Sequence, residues 1–206
     1  FPLMRAIQPK LRYTGYVVDE TGTIPPADGA GSGEVIVSAG GGAVGEDLLA
    51  AAIAARPLTP LKDAPWRVLV GISVEAAVFE RLASSAPPGV HVQRARPDYA
   101  SLLPRCLLSI SQGGYNTAME VLQARCRGVV VPYAGGVETE QTLRARLLAE
   151  RGGLHVLDER SLTPESLAQA VTRALAAPVP SSSGIDMNGA DASARLVRGF
   201  ADAVPW

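Results

Sequence analysis

Residues 107–131 read LLSISQGGYNTAMEVLQARCRGVVV, and this stretch decides the fold class. Leu107, Leu108 and Ile110 make a short apolar run suited to a buried strand. Ser111-Gln112-Gly113-Gly114 interrupts it with two glycines. Over residues 115–125, Tyr115, Ala118, Val121 and Leu122 share one helical face, with Asn116 and Glu120 together on the opposite side. Residues 129–131 are three valines. A strand, a glycine turn, a helix and a second strand form the unit from which parallel sheets are built, because parallel neighbours need a crossover.

The same texture extends both ways. Upstream, residues 35–38, 67–72 and 90–93 are strand candidates. An Ala/Leu-rich helix at 46–55, a helix at 74–84 and a short one at 98–105 alternate with them. Downstream, a helix at 138–150, a strand at 155–157 and a helix at 164–176 continue the series. Six strand candidates with short helical connections predict an α/β fold, a Rossmann-like doubly wound parallel sheet of about six strands. Residues 1–33, with Pro2, Pro9, Pro25 and Pro26, read as a linker and lead-in. Residues 34–177 read as the packed domain. Residues 178–206 read as a loop and a C-terminal helix in which Val197, Phe200, Ala201 and Val204 follow helical spacing and are expected to dock.

Composition bounds the function. The length, 206 residues, suits one domain of about 150 residues with appendages. With 47% hydrophobic and 19% charged residues the chain can bury a core. Basic and acidic residues balance at 19 against 20 without a clustered patch, which speaks against a polynucleotide partner. No apolar stretch approaches the roughly 20 residues that span a bilayer, and the start at Phe1 carries no signal-peptide pattern. Cys106 and Cys126 are too few for a disulfide framework or a structural zinc site. A reduced, cytoplasmic, metal-free setting is expected, with no cofactor.

Open α/β sheets hold ligands beyond the carboxyl ends of their strands. Gly40, Gly42 and Gly45 satisfy G-x-G-x-x-G, whose bare backbone can approach a diphosphate at a helix N-terminus. The same glycines also describe a tight strand-to-helix turn. A nicotinamide site would need a carboxylate at the end of the second strand, roughly 20 residues on. Residues 70–74 carry none before Glu75, and Asp63 precedes that strand.

At the second loop, Gly113 and Gly114 let a helix N-terminus approach a phosphate. Glu120, one turn further in, has acceptor positions on both oxygens for a ribose diol. The plainer reading of Asn116 and Glu120 is a solvated helix face. A third cluster follows the valine strand: Pro132-Tyr133, then Ala134-Gly135-Gly136, then Glu138 to Ala145. Thr139, Leu143 and Leu147 share a stripe expected in the core. Glu140 and Arg144 form an i,i+4 pair worth about 0.3–0.5 kcal/mol if exposed. Alternatively Glu140 and Gln141 contact sugar hydroxyls.

Taken together, Ser111 to Thr117, Glu120, the strand ending at Pro132, Glu140-Gln141-x-x-Arg144-Ala145 and the Gly40–Gly42 loop resemble the C-terminal, nucleotide-sugar-binding domain of GT-B glycosyltransferases of family 28, the MurG-like type. The resemblance covers residues 34–176 and implies one half of a GT-B fold. It implies a nucleoside diphosphate sugar donor, usually a uridine diphosphate (UDP) sugar, bound without metal. It places Glu120 at the ribose hydroxyls, Gly113, Gly114 and Thr117 at the diphosphate, and Glu140 and Gln141 at the sugar. Gln112 and Asn116 belong to the same motif, the backbone near Arg96 would hold the base, and Gly40, Gly41 and Gly42 would face the interdomain cleft. The family's lipid I enzyme carries two glutamines where this chain has Glu140-Gln141, so the donor sugar does not carry over. The resemblance also implies an N-terminal acceptor domain, commonly the source of the general base. Hence no catalytic residue is expected in this fragment, which would bind donor and transfer nothing alone. Any membrane-peripheral association would come through that missing domain.

Three other readings stay open: a nucleotide-sugar hydrolase or 2-epimerase on the same scaffold, a nicotinamide-dependent oxidoreductase resting on Gly40-x-Gly42-x-x-Gly45 alone, and an interaction module without nucleotide affinity. His91 and His155, flanked by apolar residues, are expected to be structural. Trp66 and Tyr99 are expected to pack, and both cysteines to be small buried side chains.

Overall fold

A computed structural model of the chain describes residues 4–18, 26–42, 44–135, 139–180 and 184–203. Its strands are β1 (Val35–Ser38), β2 (Trp66–Val70), β3 (Val90–Arg94), β4 (Leu108–Ser111), β5 (Gly128–Val130) and β6 (His155–Val156). Its helices are α1 (Met4–Ile7), α2 (Glu46–Ala55), α3 (Ala76–Ser85), α4 (Tyr99–Leu102), α5 (Tyr115–Gln123), α6 (Glu140–Glu150), α7 (Pro164–Ala176) and α8 (Gly189–Ala203). The strands pair in parallel in the order β3-β2-β1-β4-β5-β6. The chain therefore winds outward in one direction from β1, then returns to β1's other edge with β4. The point where that direction reverses lies between β1 and β4, and a doubly wound sheet opens its ligand crevice there.

Alternation along each strand sorts side chains between the two faces. Val35 and Val37 of β1, Val68 and Val70 of β2, and Leu108 and Ile110 of β4 join one buried cluster with Leu49 and Ile53 of α2, Leu82 of α3, and Leu167 and Val171 of α7. Ile36 and Leu69 point the other way, against Leu102 of α4 and Ala30. Both faces are covered, which is why the strands are almost continuously apolar rather than alternating.

Local chemistry fixes the helix ends. Thr163 caps α7 in a reciprocal capping box with Ser166, and Pro164 occupies the first turn. At the end of α5, the Cys126 N–H bonds the Val121 carbonyl at 3.0 Å and the Arg125 N–H bonds the Leu122 carbonyl at 3.1 Å. This pair of bonds closes a Schellman turn, with Arg125 at φ 52° in the position glycine usually takes. A non-glycine residue there costs about 1 kcal/mol or more. The Arg125→Gly variant is therefore expected to be more stable by about 0.5–1 kcal/mol in urea unfolding. An unchanged midpoint would mean that the arginine side chain contributes as much as its backbone costs.

Residues 26–33 differ from the expected loose lead-in. Ala30 is buried, and the Glu34 carboxylate accepts from the Gly31 N–H at 2.8 Å and from Arg67 at 2.6 and 2.7 Å. Burial alone would raise the Glu34 carboxyl. The hydrogen bonds from Arg67 and Gly31 outweigh it and hold the group below its ordinary value, so it stays ionised.

Residues 4–18 and 184–203 form a second compact unit, separate from the sheet-bearing one. In it the Tyr16 N–H bonds the Asp186 carbonyl at 2.7 Å, Val17 bridges Asn188, and the Ser193 hydroxyl donates to Thr14 at 3.0 Å. The apolar pair on α8 is not docked within it: Val197 and Phe200 are exposed. Pro2, Pro25 and Val204 lie outside the described residues. No helix among the described residues is long and apolar enough to cross a membrane.

Candidate functional site

Two loops meet at the β1/β4 reversal. After β1 the chain turns through Gly40, at φ 79°, with the Gly40 N–H bonded to the Ser38 hydroxyl at 3.2 Å. Gly45, at φ 102°, ends the loop as the residue before α2. A side chain at Gly45 would strike the Ala39 Cβ and come within 3.2 Å of the Gln112 amide oxygen, so this glycine lets the two loops touch. After β4, the Gln112 N–H bonds the Ser38 carbonyl at 3.3 Å. Gly113, at φ 79°, follows, and any Cβ there would collide with Val130 of β5.

Between the loops lies a cleft of about 200 Å³ lined by Ala39, Gly40, Gly41, Gly42 and Val44 on one side and Gln112, Gly113, Gly114, Thr117 and Gln141 on the other. Sites enclosing a whole small molecule run to roughly 300–1,000 Å³, so this volume suits one part of a larger ligand. Its chemistry favours an anion. The Gln112 Nε2, an amide donor, is buried without a hydrogen-bond partner among the described residues, and so is the Ser111 hydroxyl that precedes it in the chain. Buried donors left unsatisfied are costly and mark places where a ligand completes the bonding. Gly114 offers α5 no side-chain cap, so the first-turn N–H groups of α5 have no side-chain acceptor at the capping position.

The two helix N-termini are not equivalent. α2 begins Glu46-Asp47, and Glu46 is paired with Arg81. Acidic residues in that turn already balance the dipole and would repel a phosphate. The first turn of α5 carries no acid. The α5 N-terminus is therefore the one whose charge suits an anion.

Of the remaining sequence-selected residues, Gln141 is in this lining, and Arg96, Asn116, Glu120 and Glu140 are not. Asn116 is exposed in the first turn of α5, and Glu120 is half-buried one turn on. Glu120 stands near the Tyr99 phenol, whose pKa is pushed up first by burial, with Glu120 adding to it. The Glu140 carboxylate bonds Arg144. That pair is not the exposed one expected, because the Arg144 side chain is buried, bonding the Gly113 carbonyl at 3.3 Å and lying 5.5 Å above the Tyr115 ring. Gln141 lines the cleft and accepts from the Tyr133 N–H at 3.3 Å. The Arg96 guanidinium is clamped by Asp98 at 2.8 Å and Asp28 at 2.7 Å, and its pKa is raised by these partners in that order.

The stripe expected to face the core on α6 faces outward. Leu143 and Leu147 are exposed, at 60% and 40%, and α6 turns Arg144, Ala145 and Leu148 inward instead. His91 is exposed on the edge strand β3; His155 is half-buried, and its pKa is lowered by burial and then by Arg173. Gly136 and Glu138 lie outside the described residues. Gly71 was not singled out by sequence, yet a Cβ there would strike the Gly42 carbonyl and reach 2.9 Å from that of Gly40, so Gly71 is the floor of the first loop. A larger hollow of about 650 Å³ beyond β5 and β6, lined by Pro132, Thr142, Arg146, Asp158 and Arg160 among others, has no counterpart in the sequence motifs. No group of three or more potential metal ligands occurs among the described residues.

Against known proteins, the family described as the glycosyltransferase family 28 C-terminal domain matches residues 35–191. A UDP-N-acetylglucosamine--N-acetylmuramyl-(pentapeptide) pyrophosphoryl-undecaprenol N-acetylglucosamine transferase from Rhodospirillum centenum is 30% identical over 130 residues, covering 55% of this chain and 34% of that protein. Its Gloeothece citriformis counterpart is 29% identical over 105 residues, covering 51% and 29%. Among solved structures, Acinetobacter baumannii MurG superposes with a TM-score of 0.57 at 22% identity, covering 82% of this chain and 50% of that one. The spinosyn rhamnosyltransferase SpnG complexed with thymidine diphosphate does so with a TM-score of 0.60 at 22% identity, covering 92% and 48%. The chain spans about a third of the length of these curated relatives and half that of the solved structures.

Proposed function

Because the chain belongs to glycosyltransferase family 28, as its C-terminal domain, we propose that the β1/β4 cleft binds the diphosphate of a nucleoside diphosphate sugar, with UDP as the preferred nucleotide. The observation that carries this reading is the convergence of Gly40–Gly42 and Gln112–Gly114 on one cleft at the sheet's reversal point, beside a buried Gln112 amide that has no partner among the described residues. In this reading the Gln112 amide and the α5 N–H groups meet the diphosphate, Thr117 adds a hydroxyl, and Glu120 takes the ribose diol. Asn116 borders the same helix turn, the main chain at Arg96 faces the base, and Glu140 and Gln141 lie toward the sugar. The leaving nucleoside diphosphate gains charge during transfer, and fixed donors at the α5 N-terminus stabilise that charge without moving.

The donor half supplies binding and leaving-group stabilisation. Transfer of a hexose-type sugar to an acceptor hydroxyl, and the base that deprotonates it, belong to an N-terminal domain and to the full-length enzyme. The relatives divide over the nucleotide: the name of the first ones specifies a UDP sugar, while SpnG was crystallised with thymidine diphosphate.

Calorimetric titration of this chain with UDP and with thymidine diphosphate tests the reading. UDP should bind more tightly. Glu120→Gln keeps the size of the side chain but loses the charge-assisted bonds to the ribose. It should weaken UDP binding about tenfold, equal to roughly 1.4 kcal/mol. Equal affinities for the variant and the natural chain would remove Glu120 from the ribose site. No affinity for either nucleotide would reject the donor-domain reading.

A further inference from the structure

The two cysteines, twenty residues apart in the chain, come together at the edge of the sheet where β4 and β5 begin. Their sulfurs are 3.0 Å apart, about 1 Å beyond a disulfide bond length. The contact does not depend on two mobile tails. The Cys106 N–H is bonded to the Leu103 carbonyl and the Cys126 N–H to the Val121 carbonyl, inside the Schellman turn that Arg125 completes. One residue beyond Cys126, the Arg127 carbonyl takes the Ser109 N–H at 2.8 Å, so the two segments are laced directly to each other. Each thiol also reaches a backbone carbonyl as acceptor: Cys106 reaches that of Leu103 at 3.3 Å, and Cys126 that of Arg127 at 3.2 Å. Each thiol proton thus has a backbone carbonyl as well as the other sulfur within reach.

We propose that Cys106 and Cys126 are a redox modification site, a dithiol that closes to an intramolecular disulfide by exchange with a low-molecular-weight disulfide and reopens with a thiol reductant. Cys106, half-buried, is the sulfur that a small molecule can reach, whereas Cys126 is buried. The Cys106 thiolate attacks one sulfur of the small disulfide, forming a mixed disulfide and expelling one thiolate. The Cys126 thiolate then attacks the Cys106 sulfur and expels the second. Two S–H bonds are lost and one S–S bond forms. The protein dithiol is oxidised by two electrons, and the small disulfide becomes two thiols that carry the two protons. The hydrogen bond with Cys126 and then burial push the Cys106 thiol up, so the exchange is slow at neutral pH and quickens as pH rises.

The bond would enclose residues 107–125, which hold β4, the Gln112–Gly114 loop and α5. The sulfurs sit where β4 and β5 start, and the cleft lies beyond the strands' other ends. Closure therefore ties down the segment that carries the cleft without occupying the cleft. A cross-link of this length removes freedom mainly from the unfolded chain.

Incubating the natural chain with oxidised glutathione at pH 8, followed by thiol counting, intact mass and non-reducing peptide mapping, tests the proposal. Expected are the loss of both free thiols, a mass lower by two hydrogens, a Cys106–Cys126 linked peptide, and a melting midpoint raised by several degrees and restored by dithiothreitol. The Cys106→Ser chain should show no such rise. Two persistent free thiols, stable glutathione adducts, disulfide-linked dimers, or a rise in the Cys106→Ser chain would each overturn it.

Discussion

Replacing Gly113 with alanine is expected to lower affinity for UDP about a hundredfold and to cost about 1–3 kcal/mol of stability. Two independent effects act on one methyl group. At φ 79° the backbone is left-handed, which alanine resists, and the new Cβ would overlap the Val130 side chain on β5. Relief needs either β5 or the loop to shift. A shifted loop carries with it the Gln112 amide, the α5 N-terminus and the Gly113 carbonyl that holds Arg144 at 3.3 Å. Titration calorimetry reads the affinity, and urea unfolding reads the stability. Gly114→Ala is the steric control: Gly114 has φ −52° and open space around it, so that variant should keep the natural chain's stability. Full affinity in Gly113→Ala would detach the loop's geometry from binding.

Trp66→Ala is the substitution expected to hurt folding most, by about 3–5 kcal/mol. Trp66 opens β2, is fully buried, stands in register between Val35 and Val90, and donates its indole N–H to the Leu61 carbonyl at 3.0 Å. Its removal leaves a cavity in the cluster shared with α2 and α7, and the Leu61 carbonyl keeps only its bond from the Ala64 N–H at 3.1 Å. Domains are stable by about 5–15 kcal/mol in total, so the loss is a large part of the whole. Circular dichroism during urea titration measures it. A cost below about 1 kcal/mol would mean that the surrounding helices collapse into the space.

Most of the sheet was legible in sequence because β-branched runs and glycine turns are local signals. Residues 35–38 and 107–110 needed no more than that. The positive φ of Gly40 and Gly113 likewise follows from glycines placed directly after strands. The side of α6 that faces inward was not legible. Leu143 and Leu147 made as good an apolar stripe as Ala145 and Leu148, and periodicity does not choose between them. The choice is tertiary: Arg144 reaches the Gly113 carbonyl and the Tyr115 ring, and that contact turns the leucines outward. Gly71 and the cysteine pair were hidden for a related reason. Each matters through a neighbour far along the chain, and one sequence contains no signal for such a meeting.

The β1–β4 pairing has a consequence for the life of the protein. No short continuous peptide contains both walls of the cleft, since β2, β3 and their helices lie between them in the chain. A nascent chain emerging from the ribosome lacks the second wall until β4 and the Gln112 loop have been synthesised and β4 has paired with β1. If the cleft binds the proposed nucleotide, affinity for it is expected only once both walls are in place, so nucleotide binding would report completed folding.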